Sequence, residues 1–186
     1  MGTTRVSVLS DTHGILDDAI EKALADSDAI IHAGDIGSPF LLDALEAIAP
    51  VYAVRGNCDW DEYGRDVTTI RSLVIDGVRI YLAHIPEDAG APCDRRYPAA
   101  GERGHLLHRT FAAARWNQGR DFGGLLLPHM VIHGHTHVPR LETLDGVVVL
   151  NPGSATKPKG TDPRISMARF TIADGVPGAP SIEYFS

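Results

Sequence analysis

Short apolar strands alternate with helices over residues 5–57, and this alternation constrains the fold more than any other feature of the sequence. Runs rich in β-branched residues predict three strands, over 5–10, 29–35 and 51–57. Apolar residues at helical spacing predict two helices between them, over 15–26 and 38–49. Ser38 followed by Pro39 is typical of a helix start. The order β-α-β-α-β predicts a sheet with helices packed against it.

The pattern changes to hairpins from Thr68 onward. Two pairs of strands are predicted, 68–75 with 78–84 and 140–144 with 147–151. Each pair is joined by an Asp-Gly dipeptide, at 76–77 and 145–146, which is a strong signal for a two-residue turn. Two further strands, over 165–172 and 181–185, end the chain. A βαβαβ half followed by a mostly antiparallel half predicts stacked sheets with helices outside.

Composition restricts the function classes. A chain of 186 residues with 44% apolar and 22% charged residues predicts one globular domain over 1–186. The net charge of −7 argues against a broad nucleic-acid-binding surface. No apolar run is long enough to span a bilayer, and the N-terminal residues do not resemble a secretory signal. Two cysteines, Cys58 and Cys93, are too few for a disulfide framework, so we expect a cytoplasmic protein without membrane association.

Polar residues follow the predicted strands at the point where each strand ends. These residues are Asp11, His13, Asp35, Asn57, His84, His135 and His137. Because ligands of α/β sheets bind outside the carboxyl ends of the strands, we expect these side chains to converge. Carboxylate, amide and imidazole ligands without sulfur suit Mn, Fe, Zn, Ni or Co. Seven ligands exceed the need of one ion, which predicts two ions sharing one carboxylate.

The same residues form an ordered set of short motifs. The motifs are D-x-H at 11–13, GD at 34–35, GN at 56–57, His84, and GHTH at 134–137. In this order they resemble the calcineurin-like metallophosphoesterases. The sequences RGNCD at 55–59 and NPGS at 151–154 are similar to those of the small, single-domain YfcE-like phosphodiesterases of bacteria and archaea.

This resemblance implies a four-layer α/β/β/α sandwich of two mixed sheets flanked by helices. It implies one ion held by Asp11, His13, Asp35 and His137, and another held by Asp35, Asn57, His84 and His135. Asp35 would bridge the two ions, and Asp35, Asn57 and His135 would act in catalysis. The implied activity is metal-dependent hydrolysis of phosphoesters by a bridging hydroxide, with phosphodiesters preferred. We expect Mn as the metal, with Fe, Ni, Zn or Co as alternatives.

Two other functions stay open. The chain could be a phosphomonoesterase acting on a nucleotide or a phosphoprotein, or a non-catalytic protein-binding scaffold of the same fold. Loss of the ligand residues would favour the scaffold, whereas here all seven positions are filled. The partner expected for the enzyme is a small phosphoester, and formation of a homo-oligomer stays open.

The sequence departs from the family pattern at two places. Cys58 stands where many members have a histidine that is thought to assist the leaving group, so we place Cys58 near the substrate. An insertion at about 85–125 is rich in arginine, and Arg109 could present a guanidinium to a phosphate. An ordinary docked helix or a dimer contact are alternatives for this insertion. A plain buried cysteine is the alternative for Cys58.

Three other histidines need no role as ligands. His32 and His133 lie within apolar segments, where a histidine that is hydrogen-bonded in the core or behind the ligands is the better interpretation. His129 follows a proline, and we expect it at the surface.

Overall fold

The computed structural model describes residues 2–60, 63, 67–86, 128–144 and 146–186. Within them the chain forms two helices, α1 (Asp18–Leu24) and α2 (Pro39–Glu46). The strands are β1 (Thr4–Leu9), β2 (Ala29–His32), β3 (Val51–Ala53), β4 (Ile70–Ile75), β5 (Val78–Ala83), β6 (Met130–Ile132), β7 (Arg140–Leu144), β8 (Val147–Asn151), β9 (Ile165–Ala173), β10 (Val176–Pro177) and β11 (Ser181–Phe185).

Side-chain caps determine where both helices begin. The Asp17 carboxylate accepts the backbone N–H of Ala19, so α1 begins at Asp18 and is shorter than the predicted 15–26. The Ser38 hydroxyl accepts the N–H of Phe40, and Pro39 occupies the first helical position. The predicted start of α2 is therefore confirmed.

The first sheet has the order β10-β9-β1-β2-β3, with β11 also paired to β9. β1, β2 and β3 are parallel, and β9 runs antiparallel to β1. Leu9 pairs with His32 and His32 pairs with Ala53, so the three strands end at one level. The loops that follow β1, β2 and β3 consequently meet at one edge of the sheet.

The second sheet has the order β4-β5-β6-β8-β7. The two predicted hairpins, β4 with β5 and β7 with β8, are antiparallel as expected. β5, β6 and β8 are mutually parallel, and Leu82 pairs with Ile132, which in turn pairs with Leu150. The ends of these three strands therefore also lie side by side.

Apolar side chains from both sheets form one core between them, including Val6, Val8, Ile31, Ile80, Leu82 and Ile132. A second core packs α1 and α2 against the outer face of the first sheet through Ile20, Leu24, Leu42 and Leu45. The predicted class, two mixed sheets in an α/β sandwich, is confirmed. Within the described parts of the chain, no helix is long and apolar enough to cross a bilayer. The insertion predicted at about 85–125 falls almost entirely outside the described residues.

Candidate metal centre

Tight loops with left-handed backbone carry most of the predicted ligands to the site. The φ angles of Asp11, His13, Asp35, His135 and His137 are 54°, 47°, 53°, 70° and 60°. Non-glycine residues rarely adopt this region, and its use by five ligand candidates indicates that the surrounding contacts impose it. Because β6 ends at Ile132, alternation along a strand does not align His135 and His137, contrary to what their spacing suggests. The left-handed turns align them instead.

Four of the candidates form a compact cluster, which we call the first cluster: Asp11, His13, Asp35 and His137. One ligand atom from each lies within 4.8 Å of all the others. His137 Nε2 is 3.1 Å from Asp11 Oδ1, and His13 Nε2 is 4.0 Å from Asp35 Oδ2. Asp11, Asp35 and His137 are buried and His13 is partly buried, so the loops largely shield these ligand atoms from solvent.

The other three candidates lie beside the first cluster. His84 is buried, with Nε2 3.4 Å from Asp35 Oδ1. Asn57 and His135 are both exposed, and Asn57 Oδ1 is 2.8 Å from His135 Nδ1. The His84 and His135 rings meet edge to face, with their centroids 5.3 Å apart. We call Asn57 and His135 the open pair, because they are the solvent-facing side of the site.

The hydrogen bonds of two histidines point the Nε2 nitrogens of their rings at carboxylates. His137 Nδ1 donates to the carbonyl of Lys157 at 2.6 Å, and His84 Nδ1 donates to the carbonyl of Ala33 at 2.8 Å. A carbonyl can only accept, so Nε2 of each neutral ring carries a lone pair. These lone pairs face Asp11 and Asp35.

Lone pairs at such distances repel unless a positive charge lies between them. Asp11 Oδ1, His13 Nε2 and His84 Nε2 are buried atoms without a hydrogen-bond partner among the described residues. Unpartnered buried acceptors are costly. Carboxylate and imidazole donors are those that divalent transition metals use, so the residues present fit such ions.

The pKa shifts of the site residues also indicate that the carboxylates favour positive charge beside them. Burial lowers the pKa of His84, but Asp35 and Asp11 outweigh it and the net pKa is raised. The Asp11 carboxylate raises the pKa of His137 against the opposing effect of burial. Burial would raise the pKa of Asp35, yet His84 and the Cys58 N–H hold it well below its usual range. Asp35 is therefore a carboxylate at neutral pH.

Two glycines allow the loops to approach the carboxylates. A Cβ atom on Gly56 would lie 2.1 Å from Asp35 Oδ1, and one on Gly134 would lie 1.9 Å from the hydroxyl of Ser10. Neither contact can be relieved by a small movement. The glycines of the GN and GHTH motifs are thus required by close packing.

The polar partners of Asp11 were not predicted from the sequence as functional residues. Asp11 Oδ2 accepts the Ser10 hydroxyl at 2.6 Å and the His135 N–H at 3.2 Å. The Asp11 carbonyl accepts the hydroxyls of Ser154 and Thr156, both at 2.9 Å. Oδ1 is thereby left pointing at the cluster. In the sequence, the signal for these contacts to Asp11 was NPGS at 151–154. A Pro/Gly-rich loop predicts a surface position, whereas residues 151–155 are buried.

Asp59 connects the loop of Asp35 to the loop of Asn57. Its carboxylate accepts the N–H groups of Ile36, Gly37 and Gly56 at 3.1, 2.8 and 2.8 Å, and it also accepts the hydroxyl of Tyr63. The N–H of Cys58 donates to Asp35 Oδ1 at 2.8 Å. Asp59 therefore ties the loop of Asp35 to the loop of Asn57, a role that its place in RGNCD did not reveal.

The three remaining histidines among the described residues have structural partners. His32 is fully buried, accepts the N–H of Gly34 at Nδ1 (3.2 Å) and contacts the Thr12 hydroxyl at Nε2 (2.9 Å). His133 is buried beside Asn151, whose amide also donates to the Gly134 carbonyl at 2.8 Å. Both are core histidines as predicted. His129 is half-buried and accepts the Arg79 N–H, so its predicted surface position is only partly right.

The two residues predicted to bind substrate have different outcomes. Cys58 is exposed beside the open pair, and Asn57 Nδ2 lies 3.4 Å from its sulfur. Asp35 and burial raise the pKa of the Cys58 thiol. The interpretation of Cys58 as a buried cysteine is therefore wrong. Arg109 lies outside the described residues, so its role stays a prediction.

Comparison of this chain with known proteins identifies its family. A model of the calcineurin-like phosphoesterase superfamily domain matches residues 5–175. The chain belongs to this family. A probable metallophosphoesterase of Methanothermobacter thermautotrophicus is 34% identical over 170 residues, which cover 89% of this chain and 85% of that protein. A phosphodiesterase of Methanocaldococcus jannaschii is 26% identical over 166 residues, covering 80% and 82%.

Solved structures share the fold of this calcineurin-like phosphoesterase. Vps29 from Entamoeba histolytica, in complex with Zn²⁺, matches with a TM-score of 0.66 and 18% identity over 98% of both chains. A structure described as a novel archaeal phosphodiesterase matches with a TM-score of 0.62 and 19% identity, covering 98% of this chain and 100% of that one. The resemblance to metallophosphoesterases is confirmed, and the family is metal-dependent.

Proposed function

We propose that this protein is a phosphodiesterase with a binuclear metal site. The first cluster would hold one ion, and Asp35, Asn57, His84 and His135 would hold the other. The observation that carries the proposal is the set of lone pairs facing the carboxylates of Asp11 and Asp35 across 3.1 to 4.0 Å. Such an arrangement is stable when cations occupy the space between the ligands.

The residues of the chain would divide the work. Two divalent ions, Mn in our proposal, would supply positive charge for the phosphoryl oxygens and a hydroxide near neutral pH. Asp35 lies between both ligand groups and would keep their spacing. The carbonyls of Ala33 and Lys157 orient His84 and His137, as expected when outer partners fix the ligating nitrogen. Asn57 and His135 face solvent, where a substrate could enter.

The preference for diesters rests on the similarity to the phosphodiesterase of Methanocaldococcus jannaschii, and the leaving group adds a preference for aryl over alkyl esters. Leaving oxygens need a proton donor or another stabilising charge. Asp35 and burial raise the pKa of Cys58, so its thiol is a weaker acid than a histidine ring would be at this position. Activated diesters need less protonation than alkyl monoesters. We therefore expect aryl diesters to be the better substrates.

The experiment combines metal analysis with a substrate panel. Purified protein saturated with Mn²⁺ should contain close to two ions per chain, measured by elemental analysis after removal of free metal. It should hydrolyse bis(p-nitrophenyl) phosphate with a higher kcat/KM than p-nitrophenyl phosphate. Asp35→Asn should remove the activity, whereas Asp162→Asn, which changes a partly exposed carboxylate paired with Arg164, should not.

Each alternative has its own outcome. A higher kcat/KM for the monoester would favour the phosphomonoesterase. Two bound ions without hydrolysis of any ester would favour the scaffold. Binding of a single ion at saturation would contradict the binuclear site.

A further inference from the structure

The loop after β8 brings two lysines to the edge of the first cluster. Lys22, Lys157 and Lys159 are the only lysines in the sequence, so two of three belong to this loop. The Lys157 N–H donates to the Ser154 hydroxyl at 2.8 Å, and its carbonyl accepts His137 Nδ1 at 2.6 Å. The Lys159 N–H donates to the carbonyl of His137 at 3.1 Å. The backbone of both lysines is therefore fixed directly against one ligand candidate.

The side chains of both lysines are exposed. Among the residues that the structure describes, neither ammonium group forms an ion pair with a carboxylate, whereas Arg5, Arg140, Arg164 and Arg169 all do. The backbone contacts of both residues with His137 place the start of both side chains beside the first cluster.

Two lysines on one loop beside the site concentrate positive charge there, although the chain as a whole carries a charge of −7. They do not neutralise the ligand carboxylates, which bound ions would neutralise. Lysine is a common partner of phosphate and acts as a point charge. Positive charge beside a shielded site attracts anions into it.

We propose that Lys157 and Lys159 form a subsite for a second phosphate group of the substrate, on the His13–His137 side of the site. The substrate class is then a phosphodiester whose alcohol carries a further phosphate. This inference rests on the proposed function for the reaction, but its binding step can be tested without turnover.

A matched pair of esters tests the subsite. Thymidine 5′-(p-nitrophenyl phosphate) and its 3′-phosphorylated form share the same scissile bond and differ in the second phosphate. Lys157→Ala should raise KM for the 3′-phosphorylated ester about five- to tenfold and leave KM for the other ester within about twofold. Lys159→Ala should act in the same direction. Lys157→Arg should retain most of the difference, because it keeps the charge.

Lys22→Ala is the control, since it removes the remaining lysine from the exposed end of α1. It should leave both KM values unchanged. Equal changes for the two esters in Lys157→Ala, or equal effects of Lys157→Ala and Lys22→Ala, would overturn the subsite.

A binding measurement separates this inference from the proposed function. Calorimetry should show tighter binding of thymidine 3′,5′-bisphosphate than of thymidine 5′-phosphate to Mn²⁺-saturated protein, and Lys157→Ala should abolish the difference. If the wild type cleaves neither ester, the phosphodiesterase proposal fails while this difference still decides the subsite. Equal affinities of the wild type for both nucleotides would reject the subsite.

Discussion

The first cluster and the open pair serve one site but are built differently. Asp11, Asp35 and His137 are buried, and their loops are held by many polar contacts. Asn57 and His135 are exposed, and their side chains contact each other. Ligands in such buried, fixed positions are suited to retain an ion tightly. The open pair is suited to admit substrate, at the expense of weaker binding.

Interior hydrogen bonds join the loops that carry the first cluster. The Gly34 N–H donates to His32 Nδ1, so the proton of the neutral ring is on Nε2 and is donated to the Thr12 hydroxyl. The Thr12 hydroxyl donates in turn to the Ile36 carbonyl at 3.0 Å. This chain of contacts joins the loop after β1 to the loop after β2. In the open pair, the loop of Asn57 is held through Asp59, whereas the His135 N–H donates to Asp11.

Asp35 lies between the other members of the first cluster and His84, and its replacement should have the largest effect. Asp35→Asn should lower kcat/KM by about 10³-fold or more, because both ions lose a charged ligand. Asn57→Ala removes a ligand of one ion only and should regain part of its activity in excess Mn²⁺. Steady-state kinetics at increasing Mn²⁺ compares the two variants. Near-normal turnover of Asp35→Asn would contradict the shared carboxylate.

Single replacements in the two groups should separate the two binding events. His137→Ala should lower the affinity of the tighter Mn²⁺-binding event on the order of 100-fold. His135→Ala should lower the affinity of the weaker binding event only. Calorimetric titration of metal-free protein measures both events. If the two variants affect the same event, the division of the site into a tight and an open part is wrong.

The stability of the loops around the first cluster should depend on pH through His32. Burial lowers the pKa of His32 to about 4. The unfolded chain binds a proton near pH 6.5 that the folded protein rejects, so stability is lost as pH falls from about 6.5 to about 4. Between about pH 7 and pH 5 the loss from His32 is about 2 kcal/mol.

Urea unfolding of chelator-treated protein at both pH values tests this expectation. His32→Gln lacks the titrating ring, and its stability should fall less over the same interval. An identical fall in wild type and variant would assign the pH dependence to other groups.

Substitutions that remove no predicted ligand should also weaken metal binding at the open pair, when they remove hydrogen bonds that hold its loop. Asp59→Asn should lower the affinity of the weaker Mn²⁺-binding event about tenfold and leave the tighter event nearly unchanged, because it loosens the Asn57 loop. Tyr63→Phe removes one hydrogen bond to Asp59 and should have a smaller effect in the same direction. Asp162→Asn is the control for the loss of a carboxylate. Equal weakening of both events in Asp59→Asn would show a general loss of structure.

The smallest expected effect concerns Cys58 at the edge of the open pair. Cys58→His should increase kcat/KM for alkyl esters a few-fold relative to aryl esters, because an imidazolium is a better proton donor than this thiol. The measurement is the ratio of kcat/KM for matched aryl and alkyl diesters. An unchanged ratio would remove Cys58 from the leaving-group side. Arg109→Ala remains a separate prediction, with KM raised more than kcat is lowered.

The sequence determined much of this protein by itself. Local patterns were sufficient for most strands, because alternation and the Asp76–Gly77 turn act between near neighbours. β2 and β3 end earlier than predicted, and β10 was not predicted. The strand-end positions of the seven ligand candidates followed from the same patterns. Their chemistry followed from residue type, and the ordered motifs led to the family.

Only the tertiary structure decided which ligand candidates form the first cluster and the open pair, and which hydrogen bonds hold their loops. The sequence could not show that Asp59 spans two loops or that Ser154 holds Asp11, because these contacts join residues far apart in the chain. The spacing of His135 and His137 also fits a strand, whereas left-handed turns carry them to the site. Backbone conformation in such loops is imposed by packing between the two sheets, and no local propensity encodes that packing.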